Sequence, residues 1–185
     1  MNDRCLKPRL LKLRKIEAAR RQIESAIWLW FVDADMVSVR TLTVAAHRLI
    51  LDLAELWGVT AFPFTAAYIA PDTKADGKSS APDAESYFKN AKESETYELC
   101  EAWTELYLLD AVIAYSNLVD NHGGSALMST FVLRLGVQRQ ELFARGVFSL
   151  LEQRLSEYFN LERLQRLSKM EFLNDFLRNL SRPAA

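Results

Sequence analysis

Residues Lys15–Leu53 read KIEAARRQIESAIWLWFVDADMVSVRTLTVAAHRLILDL, and this stretch decides the fold of the chain. Apolar residues recur every three or four positions on both sides of a polar turn at 33–35. This spacing places them on one face of a helix. We therefore predict a helix over about Leu13–Phe31 and a second one from an N-cap at Ser38 to a stop at Gly58. Because the turn is short, the two helices should form an antiparallel hairpin.

The remainder of the chain also reads as helices, separated by polar residues, glycine and proline. An apolar segment at 61–70 has no clean period, and the Gly/Pro/Ser-rich stretch 71–82 is typical of a flexible loop. We predict further helices over Ala84–Ala91, Thr96–Val119, from Ser125 or Ser129 to Leu135 with a stop at Gly136, over Phe143–Leu155, and from Asn160 to Pro183. The prediction is one all-α domain over residues 1–185, a bundle of six or seven helices with a basic N-terminal arm at 1–12.

The long helix Thr96–Val119 is predicted to bury one side only. Leu106 and Leu109 fall on that side with other apolar residues, and Cys100 is expected among them as a small buried residue. Glu98, Glu101 and Glu105 fall on another side and are expected in solvent. Glu101 and Glu105 are one turn apart, but the chain lacks the Glu-x-x-His pattern of di-metal bundles, so no metal site is predicted.

Composition excludes several classes of protein. The chain has 185 residues, of which 50% are hydrophobic and 25% charged, with a formal net charge of −1. These values are typical of a folded globular domain. No apolar run reaches the length of a membrane span, and the basic N-terminus lacks the features of a signal peptide. We therefore expect a cytoplasmic protein with no membrane partner.

Four common catalytic and cofactor motifs are absent from the sequence. The chain has no GxGxxG, GxxxxGK[ST], HExxH or GxSxG pattern, and its two cysteines, Cys5 and Cys100, have no metal-binding spacing. We predict no cofactor and no metal, and an enzyme is the less favoured reading. Of the two histidines, His122 stands beside two glycines where a helix is expected to end.

Charge is unevenly distributed along the chain. Met1–Arg21 holds eight Lys and Arg against two acids, and Pro82–Asp110 holds eight acids against two lysines. The basic stretch is a candidate for contact with a nucleic-acid backbone, although it has no aromatic residues to stack on bases. Its candidate residues are Arg4, Lys7, Arg9, Lys12, Arg14 and Lys15. Solvation or internal charge pairing explains the same residues.

Arg40 and His47 are the one pair in the chain with a named possible chemistry. They are seven positions apart, so two helical turns place them on the same face of the second helix. A guanidinium and an imidazole together can bind a phosphodiester and transfer a proton. Many helices carry such a pair by chance, and His47 is more simply read as a packed helical residue.

The hairpin resembles a family of small, uncharacterised bacterial helical proteins. The likeness rests on Gln22, Ile23, Ala26, Ile27, Leu29 and Phe31, then on Asp35, Val37, Ser38, Thr41, Leu42, Ala45 and Ala46. YFKNA at 87–91 is similar to the family's FFKHA segment, and LLDAV at 108–112 to its next helix. The chain departs from the pattern at Asn90 and Lys92, where the family has His and Asp. Lys89 and Asn90 are thereby marked as a possible functional surface.

A more distant likeness is to the HEPN superfamily of helical bundles. Some members are ribonucleases with an Arg-x4-6-His pair that is completed at a dimer interface. Arg40 and His47, with six residues between them, satisfy that spacing. The resemblance therefore implies a ribonuclease or an RNA-binding protein that uses these two residues.

Three functions remain open from the sequence. The leading prediction is a non-catalytic interaction module that self-associates, most simply as a homodimer, through exposed aromatic residues among Trp28, Trp57 and Trp103. The second is the HEPN-like ribonuclease of Arg40 and His47. The third is a helical bundle with a small-molecule pocket lined by Phe62, Phe64 and Tyr68.

Overall fold

Six α-helices make up most of the part of the chain that the computed structural model describes, which is residues 10–59, 96, 98–119, 124–144, 149, 153 and 160–180. They are α1 Lys15–Phe31, α2 Met36–Trp57, α3 Glu101–Leu118, α4 Ala126–Gln138, α5 Leu161–Arg166 and α6 Lys169–Leu180, with a 3-10 turn at Gln140–Leu142 after α4. These residues contain no strand, so the all-α class is confirmed. The apolar segment 61–70, the loop 71–82, the helix Ala84–Ala91 and most of the helix Phe143–Leu155 lie outside the described residues; Phe143 itself has extended backbone after the 3-10 turn.

α1 and α2 form the predicted hairpin and share the most extensive helix contact in the described fold. The N-cap of α2 is Asp35, not Ser38: its carboxylate accepts hydrogen bonds from the backbone N–H of Val37 at 3.2 Å and of Ser38 at 2.8 Å. A hydrogen bond from the Ser38 hydroxyl, together with these two backbone bonds, holds the pKa of Asp35 below its usual range. Gly58 ends α2 at φ +67°, a left-handed conformation that favours glycine, and this prediction is confirmed.

α3 packs against α1, α2 and α4 and is buried on most of its sides. Buried residues follow one another around it, at 104–106, 108–112, 114, 115 and 118. The helix begins at Glu101 rather than at Thr96, and two predictions for its residues were also wrong. Glu105 is buried rather than solvated, and Cys100 is the exposed N-cap rather than a buried residue. A helix that is apolar nearly all round gives no one-sided pattern from which to place them.

The C-terminal half differs from the prediction at two helix ends. Of the two candidate starts, Ser125 rather than Ser129 caps α4, and α4 continues through Gly136 to Gln138. Asn160 caps α5 as expected, accepting a hydrogen bond from the N–H of Arg163 at 3.0 Å. The predicted last helix is two helices, because Ser168 and Glu171 exchange backbone and side-chain hydrogen bonds at the start of α6.

The core between these helices is aromatic at its centre. Trp30 packs edge-on against Phe31 and Phe131, with ring centroids 5.0 Å apart in both pairs, and all three side chains are fully buried. Within the described ranges, none of the helices has the length and apolar character needed to cross a bilayer.

Candidate functional site

Arg40 and His47 lie on the face of α2 that packs on α3. Arg40 is 2% exposed, and its guanidinium carbon lies 3.8 Å from the centre of the Tyr107 ring. Its Nη1 donates a hydrogen bond to the backbone oxygen of Trp103 at 3.4 Å. A cation over an aromatic face in a desolvated setting is held more strongly than one at the surface. Arg40 therefore belongs to the packing between α2 and α3.

His47 is held by a carboxylate. Its Nε2 lies 2.7 Å from Oδ2 of Asp110, and the side chains are 16% and 3% exposed. The His47 ring centroid is 5.9 Å from that of Tyr107, so Tyr107 lies beside both His47 and Arg40. A carboxylate in this position fixes the orientation of an imidazole. We call Arg40, His47, Tyr107 and Asp110 the α2–α3 cluster.

The α2–α3 cluster brings Arg40 and His47 together, but both side chains face α3 rather than solvent. Arg40 would have to leave the Tyr107 ring to reach a phosphodiester, whereas His47 keeps a partly open edge. Sequence reasoning missed Tyr107 and Asp110. They are three positions apart on α3, so they lie on one helical face, but only the register of α3 against α2 shows that this face meets Arg40 and His47.

A second polar centre lies inside the core around Glu105. The indole N–H of Trp30 donates to its Oε1 at 2.8 Å, and Nε of Arg139 donates to its Oε2 at 3.0 Å. Glu105 is 3% exposed and Arg139 is 32% exposed at its side chain. Both carboxylate oxygens therefore have partners, and the group links α1, α3 and the end of α4.

The outward side of α1 carries a half-exposed tryptophan. Trp28 is 48% exposed, whereas Trp30, two positions later, is fully buried. A shallow groove of about 720 Å³ surrounds Trp28, and it is lined by Arg21, Glu24, Ser25, Leu29 and, from α4, Leu127. Trp57 is equally exposed at the end of α2, and Trp103 is partly buried against the core.

The basic candidates that the structure describes are exposed. Lys12, Arg14 and Lys15 precede or begin α1. Arg14 forms an ion pair with Glu17 at 2.9 Å, and its backbone and side-chain hydrogen bonds lower the pKa of Glu17. The other candidates lie outside the described residues: Arg4, Lys7, Arg9, Phe62, Phe64, Tyr68, Lys89, Asn90 and His122.

A ligand could bind at a group of metal-binding side chains or in a surface groove. Within the described part of the chain, no three His, Cys, Asp or Glu side chains are grouped so that they could hold a metal ion. A mainly apolar groove of about 370 Å³ runs between α3 and α4, with Ser116, Asn117 and Ser129 among its lining residues.

In comparisons with known proteins, no family model, no curated protein and no solved structure matches this chain.

Proposed function

We propose that this protein is a non-catalytic interaction module that self-associates through the outward side of α1. The observation that carries the proposal is the 48% exposure of Trp28, beside a fully buried Trp30 on the same helix. Tryptophan is enriched among the residues that dominate binding energy at protein interfaces. An indole left half in water on an ordered helix is therefore a candidate anchor.

The surroundings of Trp28 have the composition of an interface. Leu29 and Leu127 extend the apolar area onto α4, while Arg21 and Glu24 supply charges at its edge. An apolar centre with a polar rim is the usual anatomy of a protein–protein contact. The inward placement of Arg40 in the α2–α3 cluster supports the non-catalytic part of the proposal.

Replacing Trp28 with alanine is expected to weaken self-association about 30-fold, since an interface anchor contributes about 2 kcal/mol or more. Sedimentation equilibrium on the full chain, from low to high micromolar concentration, measures the dissociation constant. Trp57→Ala is the matched control, because Trp57 has the same 48% exposure at a different place on the hairpin. It should leave the constant within about twofold, a change of under 0.5 kcal/mol.

Two results would contradict this proposal. One is a wild-type chain that stays monomeric at high micromolar concentration. The other is a dimer that Trp57→Ala weakens and Trp28→Ala does not. Circular dichroism of each variant should give helix content and melting temperature close to the wild type, since both side chains are half exposed and outside the core.

A ribonuclease that uses Arg40 and His47 is the second candidate, and the contact between His47 and Asp110 is the observation that favours it. A carboxylate that orients an imidazole is a recurring device of general base catalysis. The burial of Arg40 weighs against it, because the phosphate-binding group would have to be accessible.

We expect the wild-type protein to leave a labelled single-stranded RNA intact, and His47→Gln to behave identically. Product formation on denaturing gels measures this. Arg48→Gln is the control variant, because Arg48 is the exposed neighbour of His47 on α2. Cleavage by the wild type that His47→Gln abolishes and Arg48→Gln preserves would establish the ribonuclease and overturn the non-catalytic proposal.

A further inference from the structure

We infer that the partner is a second copy of this chain, whose α1 packs antiparallel on α1 of the first copy across a two-fold axis near residue 23. The inference rests on the proposed function. It adds which molecule binds the outward side of α1 and in which direction the two helices run. It is carried by the spacing, the sizes and the charges of the residues on the outward side of α1.

The spacing is that of a two-helix contact. The outward face of α1 and its two cap residues is formed by Arg14, Ala18, Arg21, Ser25, Trp28 and Val32, which are separated by alternate steps of four and three. Five of these six residues are exposed and Ala18 is half-buried, while the opposite side of α1 is the buried one. Alternating steps of four and three are what keep a seam of side chains facing a second helix.

The sizes fit an antiparallel pair. If the two helices run in opposite directions about residue 23, positions whose numbers add to 46 face each other. Trp28 then lies against Ala18 of the second copy, so the largest residue of the face meets the smallest. The same contact occurs twice, because a two-fold interface uses one surface on both chains. A parallel pair would instead place Trp28 against Trp28.

The charges favour the same direction. In the antiparallel pair, Arg21 lies beside Glu24 of the second copy, and the symmetric contact repeats this. In a parallel pair, Arg21 would face Arg21, and like charges in register oppose association. Glu24 already pairs with Arg20 of its own chain at 3.0 Å, but its side chain remains 29% exposed. It is therefore still accessible to a second cation.

A charge exchange tests whether the two α1 faces meet at positions 21 and 24; a mixture would recover in either direction of packing, so the cross-links decide the direction. Arg21→Glu and Glu24→Arg should each weaken self-association about 10-fold, because each creates a cluster of like charge in its own dimer. An equimolar mixture of the two variants should associate within about threefold of the wild type, because positions 21 and 24 then carry opposite charges wherever the two chains meet. Sedimentation velocity with one variant fluorescently labelled measures both. A mixture no stronger than the single variants would overturn the antiparallel contact.

Cross-linking tests the direction independently. In a background with both cysteines replaced by serine, Arg14→Cys mixed with Val32→Cys should give a disulfide between the two chains on oxidation. Arg14→Cys alone should not, because its two copies would stand at opposite ends of the contact. A disulfide between two Arg14→Cys chains would overturn the inference in favour of a parallel pair. If these tests fail while Trp28→Ala still weakens the dimer, the proposed function stands and only the antiparallel arrangement falls.

Discussion

Replacing Glu105 with alanine is expected to lower the free energy of unfolding by about 3 kcal/mol, among the largest effects of any single polar substitution in the described core. The substitution leaves the buried indole N–H of Trp30 without its acceptor. It also removes the anion that Arg139 binds at 3.0 Å. A cavity beside Trp30 adds to the loss, because the surrounding helices relax only in part.

Exposure decides how this loss divides between the two partners. Arg139 is 32% exposed, so its guanidinium can turn toward water when Glu105 is removed. Trp30 is fully buried, so its indole N–H cannot turn toward water. An unsatisfied buried donor costs about 1–3 kcal/mol, more than the loss of a partly solvated ion pair. The indole hydrogen bond should therefore account for more of the effect than the ion pair.

Urea denaturation followed by circular dichroism measures the difference. Glu105→Gln keeps an oxygen acceptor for Trp30, so it should lower the free energy of unfolding by only about 1 kcal/mol. Glu141→Ala is the surface control, because Glu141 is 64% exposed and lies 3.8 Å from the same Arg139. It should change stability by less than about 0.5 kcal/mol. An equal loss in Glu105→Ala and Glu141→Ala would contradict this account.

The burial of Glu105 could not be predicted from the sequence. The hairpin was predictable because α1 and α2 each bury one side, which leaves a period that can be read from the sequence. α3 is buried on most sides, so its apolar pattern identifies a helix but not the direction in which each acid points. Glu105 is one turn from Glu101, which is exposed, and only the packing of Trp30 and Arg139 separates the two.

Helix ends and the α2–α3 cluster show the same difference between features that depend on the local sequence and features that depend on packing. Gly58 and Asn160 were predictable as caps because the reason for each is local to the chain. The cap of α2 is Asp35 instead of the predicted Ser38, and Ser125 was one of two candidates for the cap of α4. The common face of Arg40 and His47 was predictable from their spacing. Their partners were not, because Tyr107 and Asp110 are far away in sequence and meet α2 only in the folded chain.

Arg134 gives the second large expected effect: Arg134→Ala should lower the free energy of unfolding by about 3 kcal/mol. The side chain extends from α4 and is 6% exposed. Its Nη1 donates to the backbone oxygen of Leu164 at 2.9 Å, and its Nη2 to that of Leu167 at 2.7 Å. These carbonyls lie at the end of α5, where the last turn of a helix lacks partners of its own.

The setting of Arg134 explains why the loss should be large. Within the described residues it forms no ion pair with a carboxylate, and burial lowers the pKa of its guanidinium. The charge is stabilised by the backbone oxygens at the end of α5, by the electrostatic attraction of Asp33, and by the face of Phe172, whose ring centre is 5.2 Å from the guanidinium carbon. Alanine removes both carbonyl bonds and the stacking contact together, and leaves a cavity between α4 and α6.

The urea midpoint, with hydrogen exchange of the backbone amides, measures this effect and its location. Arg134→Lys should lose about half as much, because an ammonium lacks the planar fork that reaches both carbonyls. Arg163→Ala is the control on the same helical corner. Arg163 is 69% exposed and pairs with Asp175 at 2.7 Å, and an exposed pair contributes at most about 1 kcal/mol.

Hydrogen exchange distinguishes a local from a global role for Arg134. A second attachment joins α6 to α1, since Lys169 donates to the backbone oxygen of Trp30 at 3.1 Å and lies 2.8 Å from Oδ1 of Asp33. We expect Arg134→Ala to speed exchange most in α5, whose end it caps, less in α6, and least in the hairpin of α1 and α2. Uniform acceleration in all helices would contradict a local role and make Arg134 part of one cooperative core, since a single opening unit exposes all of its amides together.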